Sequence, residues 1–320
     1  MRREMVAVSM AAAAAPVPFT LPAERRRLLY SLLGDLPPRD RHVTATRRSL
    51  ADKGAYTIET LVLDLNGIEA APAYFIKPKA ATGRLPTVLF NHWHAGQYKL
   101  GKDDLFTPKP GHGLPAYADD LVAAGYAALC FDTWAFGERS TRTEPDIFKD
   151  MLWKGQVMWG MMVYDSLKAV DYLVSRDDVD RRRLATLGMS MGSTMAWWTA
   201  ALDERLKVTV DICCLTDFQA LIANRNLSGH GVYYYVPGLL KHFTTSQINE
   251  LIVPRPHLSL AGNRDKLTPP EGLERIDAEL KRAYAAAGKP TNWQLVREDV
   301  AHDETPSMRR AAMEFLKIHL

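Results

Sequence analysis

The sequence predicts an α/β fold with a mostly parallel central sheet flanked by helices, and three observations support this class. Strand-like and helix-like segments alternate from about residue 57 onward, and segments of this length need crossover connections, which make neighbouring strands parallel. The chain has 320 residues, 47% of them hydrophobic and 24% charged, so it can bury a large core. It contains no internal repeat and no low-complexity linker, which favours one domain over residues 51–320 after an N-terminal helical extension over residues 1–50.

The elements are predicted in order along the chain. In the extension, residues 21–34 place four leucines on one face of a helix that Gly34 can end. Segments 58–67 and 72–78 are strands joined through the turn dipeptide Asn66-Gly67, and they are expected to pair antiparallel at an edge of the sheet. The later segments are strands at 86–92, 126–132, 184–188, 206–214, 255–263 and 292–298 and helices at 114–125, 161–176, 193–202, 270–288 and 307–320.

Two segments do not fit the alternation of strands and helices, one at about 134–157 and one at about 215–250. Both follow the carboxyl ends of predicted strands, where an open α/β sheet has its ligand crevice. Long connections inside a compact domain are usually functional. We therefore predict that both segments are lid insertions.

Charge and cysteine content exclude several classes of partner. The net charge is only +3, from 40 basic and 37 acidic residues, so no overall field favours nucleic acid or an anionic membrane. There is no apolar stretch of about 18 residues that could span a membrane. Three cysteines, two of them adjacent, do not form a disulfide framework and are expected to be small buried side chains. The expected partner is a small molecule, and the apolar N-terminal helix could also serve a homo-oligomer.

The first residues, "MRREMVAVSMAAAAAPVPF", resemble a weak export signal because basic residues precede a run of small ones. Alanine dominates where an export signal prefers leucine, and alanine-rich sequence also forms plain helices. We predict an uncleaved N-terminus and a cytoplasmic protein.

The segment "LATLGMSMGSTMAWW" carries the clearest chemical signal. It has a strand, then Gly188-Met-Ser190-Met-Gly192, then a helix, which is the context of a nucleophile elbow. The two glycines remove side chains where strand and helix meet, so the turn can present the Ser190 hydroxyl to the crevice. The amide of Met191 then lies at a helix N-terminus, where it can face an acyl oxyanion.

A serine hydroxyl needs a base, and the base needs a carboxylate that holds its tautomer. After such an elbow the chain order is serine, acid, histidine. Asp265 follows the strand at 255–263, and His302 follows the last strand. These positions predict Asp265 as the acid and His302 as the base. Asp217, which follows the preceding strand, is the alternative acid.

The loop after the strand at 86–92 is expected to supply the second oxyanion donor. It contains His92-Trp93-His94, and the backbone amide of either Trp93 or His94 could donate. The two histidines could also suggest a metal pair, but no later cluster supplies a third ligand, so neither a metal nor a cofactor is predicted. The ring of Trp93 could narrow the acyl pocket or could pack into the core.

Other side chains near the predicted crevice are candidate substrate contacts. Trp134 and Glu138 follow the strand at 126–132, although Glu138 could equally be a structural carboxylate. Tyr233 and Tyr234 in the second insertion could form a stacking wall for a sugar or aromatic ester.

From about residue 21 to the C-terminus, the chain resembles the dienelactone-hydrolase-related, acetyl xylan esterase-like branch of the α/β-hydrolases. The segments that carry this resemblance are "GMSMG", "FDTWAFGERS", "HGVYYYVPGLLKHF", "LIVPRPHLSLAGNRDKLTP" and "AHDET". The resemblance implies an α/β-hydrolase fold and a serine carboxylic-ester hydrolase without a cofactor, with Ser190, Asp265 and His302 as triad. If the Trp93 ring projects toward the acyl group, it takes up volume that a long chain needs, so we expect short-acyl esters to be preferred. Dienelactone hydrolases proper have a cysteine at the elbow, where this chain has Ser190. The alternatives are a peptidase or thioesterase of the same fold, or a non-catalytic ligand-binding protein.

Overall fold

A computed structural model describes residues 21–109 and 113–320. Within these ranges nine strands form one sheet in the order β1-β2-β3-β5-β4-β6-β7-β8-β9. The strands are β1 (Thr44–Asp52), β2 (Tyr56–Asp64), β3 (Ala71–Pro78), β4 (Leu85–Asn91), β5 (Ala127–Phe131), β6 (Val179–Met189), β7 (Leu206–Ile212), β8 (His257–Gly262) and β9 (Trp293–Glu298). The helices are α1 (Pro22–Ser31), α2 (Tyr117–Ala123), α3 (Glu144–Trp153), α4 (Met158–Ser175), α5 (Met191–Leu202), α6 (Phe218–Ala223), α7 (Thr245–Asn249), α8 (Pro270–Ala286) and α9 (Pro306–His319).

The sheet is parallel from β5 to β9 and antiparallel from β1 to β3, and β3 pairs antiparallel with β5. The mostly parallel sheet and the antiparallel β2–β3 pair are confirmed. The sequence did not predict β1, which lies outside β2 at the edge and spans the expected boundary at residue 50. Its side chains are almost all exposed, so it has no apolar pattern and is held through its backbone pairing with β2.

Apolar side chains cover both faces of the sheet, which explains why β4 and β5 are buried along their whole length. One cluster includes residues of α4, α5 and α8, and the other includes residues of α2 and α9. Trp197 and Trp198, which the sequence assigns to the core, are buried on α5 with ring centroids 5.8 Å apart. Cys130, Cys213 and Cys214 are buried and form no disulfide, as expected.

The N-terminal helix α1 packs against its own chain. Leu29 and Leu33 are fully buried, and the Arg26 guanidinium donates hydrogen bonds to the carbonyl oxygens of Ala201 (3.0 Å) and Leu251 (2.7 Å). Much of the apolar face that the sequence offered for an oligomer is therefore covered. The export-like segment on which the localisation prediction rests lies outside the described residues. None of the described helices combines the length and the apolar character needed to cross a membrane.

Candidate active site

Ser190 occupies a strained turn between β6 and α5. Its backbone has φ +56° and ψ −119°, a region that residues other than glycine rarely adopt. A Cβ atom on Gly192 would lie 2.0 Å from the carbonyl oxygen of Asn91, and one on Gly188 would lie 2.5 Å from the carbonyl group of Gly192. Only glycine fits at either position. The two glycines therefore let the elbow pack against the end of β4 and hold Ser190 at the carboxyl end of β6.

The three side chains that the sequence assigned to a triad lie in one hydrogen-bonded chain. His302 Nε2 lies 2.7 Å from Ser190 Oγ, and His302 Nδ1 lies 2.7 Å from Asp265 Oδ2. Asp265 is buried in the turn after β8, and its other oxygen accepts a hydrogen bond from the Leu267 amide at 2.9 Å. The loops after β6, β8 and β9 thus bring a hydroxyl, an imidazole and a carboxylate together.

The environment of His302 favours its charged form. Burial disfavours the imidazolium, but the hydrogen bond to Asp265 and the charge of that carboxylate outweigh it, so the pKa of His302 is raised above its usual value. An imidazole stabilised in this way is suited to accept a proton from the serine hydroxyl during reaction.

The alternative acid, Asp217, has a different set of partners. Its Oδ1 accepts a hydrogen bond from the Ala220 amide (2.9 Å) at the start of α6, and its Oδ2 lies 3.0 Å from Arg275. Asp217 therefore caps a helix and pairs with an arginine. The carboxylate that contacts His302 belongs to Asp265.

In the loop after β4, the two candidate oxyanion donors are the backbone amides of Trp93 and His94, and they differ in their partners. The Trp93 amide donates to Asp104 Oδ2 at 3.2 Å, and its indole ring lies 4.7 Å from Lys109 Nζ, packs against the core and does not line the cavity at Ser190. Burial raises the pKa of Asp104 to about 7. His94 lines the cavity at Ser190, and its amide has no acceptor among the described residues. Met191 is the first residue of α5, so its amide lacks an acceptor inside the helix.

The cavity at Ser190 has a volume of about 220 Å³. The loop after β4 contributes His94, Ala95 and Gly96, here called the oxyanion loop, and α5 contributes Met191. His230, Tyr233 and Tyr234 form an aromatic wall of the same cavity. The ring of His230 stacks on that of Tyr234, with centroids 4.5 Å apart. Both predicted tyrosines therefore line the site.

Tyr233 is tied to the oxyanion loop. The Gly96 amide donates to His94 Nδ1 at 3.0 Å, so in the neutral ring the proton is on Nε2, which lies 3.0 Å from the Tyr233 hydroxyl oxygen. Burial lowers the pKa of His94 to about 4, which keeps this ring neutral near pH 7. The Tyr233 oxygen then accepts from His94, and its own proton remains available to a substrate oxygen.

Trp134 and Glu138 do not line this cavity, contrary to their predicted contact with substrate. Trp134 is buried, and the guanidinium of Arg139 lies 4.3 Å from its ring. Glu138 pairs with Lys102 at 2.8 Å and with Arg48 at 3.2 Å. Both residues do follow β5, but basic side chains hold them away from Ser190.

Sequence reasoning missed several residues that line the cavity, among them Cys214, His230 and Leu267. His230 is held by a hydrogen bond between its Nε2 and the Leu267 carbonyl oxygen at 3.1 Å. The available signals were the position of Cys214 at the end of the predicted strand 206–214, that of Leu267 two residues after Asp265, and that of His230 three residues before Tyr233.

His92 and His94 do not share a ligand position. His92 Nε2 accepts a hydrogen bond from the Thr133 amide at 3.2 Å, whereas His94 contacts Tyr233. Across residues 21–109 and 113–320, no group of three or more histidine, cysteine, aspartate or glutamate side chains is placed to hold a metal ion.

This sheet order, together with the elbow after β6, defines an α/β-hydrolase. Residues 114–288 match the Dienelactone hydrolase family. YtaP of Bacillus subtilis (strain 168), by its name a hydrolase, is 50% identical over 295 residues, which are 92% of this chain and 98% of that protein. The chain therefore belongs to the dienelactone hydrolase family and is a hydrolase, as the resemblance implied.

Solved esterase structures share the fold. The acetyl xylan esterase from Paenibacillus sp. R4 superposes with a TM-score of 0.63 at 18% identity, over 93% of this chain and 93% of that one. A glucuronoyl esterase from Solibacter usitatus gives a TM-score of 0.66 at 16% identity, over 92% of this chain and 91% of that one. At these identities the similarity concerns the fold alone.

Proposed function

We propose that this hydrolase is a serine esterase that cleaves short-acyl carboxylic esters through an acyl-enzyme intermediate. The observation that carries the proposal is the pair of 2.7 Å contacts that join Ser190 Oγ to His302 and His302 to Asp265. This is the geometry that nucleophilic catalysis by a hydroxyl requires.

In the first half-reaction, Ser190 Oγ attacks the ester carbonyl carbon while its proton passes to His302 Nε2. Asp265 accepts the Nδ1 proton in a hydrogen bond and stabilises the imidazolium. The His94 and Met191 amides donate to the oxyanion of the tetrahedral intermediate. When the intermediate collapses, the bond to the alcohol oxygen breaks, and that oxygen takes the proton from His302.

The second half-reaction repeats these steps with water. His302 takes a proton from the water as its oxygen attacks the acyl carbon, and the proton then goes to Ser190 Oγ as the acyl–serine bond breaks. The products are a carboxylic acid, an alcohol and the free enzyme.

The competing nucleophile in the same cavity is Cys214. Burial raises the pKa of its thiol, so the reactive thiolate is scarce near pH 7. Its sulfur lies 3.7 Å from the Thr216 hydroxyl oxygen, whereas the base contacts Ser190 Oγ. These contacts favour the serine.

The preference for short acyl groups rests on the cavity volume. About 220 Å³ is below the roughly 300–1,000 Å³ of sites that enclose drug-sized ligands. The walls here are His94, Tyr233 and Tyr234, whereas the ring of Trp93 faces Lys109. An acetyl group fits such a space more readily than a long acyl chain.

The test is a series of 4-nitrophenyl esters from acetate to octanoate, assayed with the native protein, Ser190→Ala and the matched variant Cys214→Ala. We expect kcat/KM to be highest for acetate, to fall by several orders of magnitude in Ser190→Ala, and to stay within about tenfold of native in Cys214→Ala. Equal activity of Ser190→Ala and the native protein, or loss of activity only in Cys214→Ala, would overturn the proposal.

A further inference from the structure

A second cavity lies in the insertion between β7 and β8. Its volume is about 460 Å³, and side chains such as Phe218, Leu221 and Leu239 make its lining mostly apolar. Lys241 supplies the one charged side chain among the described lining residues. A concave apolar site of this size can enclose an apolar group of a small molecule.

The rim of this cavity exposes apolar side chains to solvent. Ile222 is 49% exposed, Leu227 40% and Leu240 37%, and all three line the cavity. Apolar side chains that surround a concavity together are characteristic of a binding surface, whereas scattered ones are ordinary.

Tyr234 lies between this cavity and the active site, because it lines both. Its ring is buried and stacks on His230, with an angle of 15° between the ring planes. The two spaces are therefore neighbours across one aromatic ring.

The contacts near His302 indicate which half of an ester extends toward the second cavity. The leaving alcohol oxygen receives its proton from His302 Nε2, so the alcohol lies on the His302 side of Ser190. On that side, the Leu267 amide contacts Asp265 at 2.9 Å and the Leu267 carbonyl oxygen contacts His230 at 3.1 Å. His230 in turn stacks on Tyr234, the ring that borders the apolar cavity.

We propose that the apolar cavity binds the hydrocarbon part of the ester's alcohol, so that the preferred substrates are short-acyl esters of alkyl or aryl alcohols. This inference rests on the proposed esterase function. The apolar lining offers few hydrogen bonds to the hydroxyl groups of a sugar, which would lose their hydration on entry.

The test measures kcat/KM for two ester series in a pH-stat. One keeps the acetyl group and lengthens the alcohol from methyl to butyl to hexyl, and the other keeps methanol and lengthens the acyl group from acetyl to butyryl to hexanoyl. We expect kcat/KM to rise about threefold to fourfold per methylene over the alcohol series, as apolar burial allows. The acyl series is expected to fall, as the proposed preference for short acyl groups requires.

Ile222→Trp places a bulky indole ring at the rim of the cavity. We expect it to reduce the ratio of kcat/KM for hexyl acetate to kcat/KM for methyl acetate by about tenfold. Leu227→Trp fills another part of the rim and is expected to act in the same direction. The matched control is Leu152→Trp, which changes an apolar residue of α3 that is 45% exposed and does not line either cavity, and which is expected to keep the native ratio.

A native protein that hydrolyses methyl acetate but gives a flat alcohol series, or a ratio that both rim variants leave unchanged, would overturn the alcohol site while the proposed esterase function stands. A rise over the acyl series instead would assign the cavity to the acyl group and would also overturn this inference. A native protein that hydrolyses no ester of either series would refute both proposals.

Discussion

Ser190 and His302 of the proposed triad line the same cavity as the aromatic wall, but different forces hold the triad and the wall in place. Ser190, Asp265 and His302 each follow a parallel strand, so the backbone of the sheet fixes their positions. The wall lies in the insertion between β7 and β8, where Tyr233 is held by ring contacts such as those with Phe136 (5.9 Å) and Trp159 (6.0 Å). The comparison suggests that the sheet sets the chemistry and that the insertion sets substrate preference. Substitutions in the triad should then abolish turnover, and substitutions in the wall should adjust it.

The largest expected effect comes from Ser190→Ala and His302→Ala. Each should lower kcat for a short-acyl ester by roughly 10⁴- to 10⁶-fold, and the double variant should be little worse, because the two side chains act as one unit. Steady-state kinetics with each variant measures this, and unchanged melting temperatures would show that the fold is intact. Multiplicative losses in the double variant would contradict a shared role.

Asp265→Asn tests the orientation of the base. An amide there cannot stabilise the imidazolium and favours the wrong tautomer, so kcat should fall by about 10³- to 10⁴-fold. The matched control is Asp217→Asn, because asparagine can still cap α6 and only the partly exposed pair with Arg275 is lost. We expect its kcat to stay within about twofold of native. The reverse pattern would assign the acid to Asp217.

The pH dependence of kcat/KM tests the same contact without removing the base. His302 must be neutral to accept the serine proton, and Asp265 holds the pKa of His302 above the usual 6.5. Activity should therefore fall as the pH is lowered through a midpoint above 6.5. In Asp265→Asn, burial acts without the carboxylate, so this midpoint should move to lower pH. An unmoved midpoint would show that Asp265 does not set the titration.

A smaller effect is expected from Tyr233→Phe, which removes one hydroxyl of the wall. The loss of the contact with His94 and of a donor to substrate should lower kcat/KM by about threefold to tenfold, the range of one hydrogen bond. Tyr172→Phe on α4 is the control, since its hydroxyl contacts Arg176 and does not line the cavity. A loss of more than about 10³-fold in Tyr233→Phe would place the wall within the chemistry and would end the distinction between the two regions.

The sequence predicted most of the sheet and the grouping of the triad because buried parallel strands are apolar runs, and the side chains just after them meet at one edge. It did not predict β1, whose segment "TATRRSLAD" buries almost nothing and carries no apolar period. The strand could be found only through its partner β2.

The errors at the site have a common physical cause. Position after a strand does not determine where a side chain points, and that direction depends on partners far along the chain. Glu138 is drawn to Lys102 and Arg48, and Trp134 is buried with its ring against Arg139. For the same reason, only the folded insertion shows that His230 and Tyr234 stack beside Ser190.

The most direct test of the central claim is mass spectrometry of the protein after reaction with a fluorophosphonate, which forms a stable bond to an activated serine. The proposed function predicts one covalent adduct per chain, located on the peptide that contains Ser190, absent from Ser190→Ala and formed far more slowly in His302→Ala. An unmodified native protein, or an adduct on any residue other than Ser190, would contradict it.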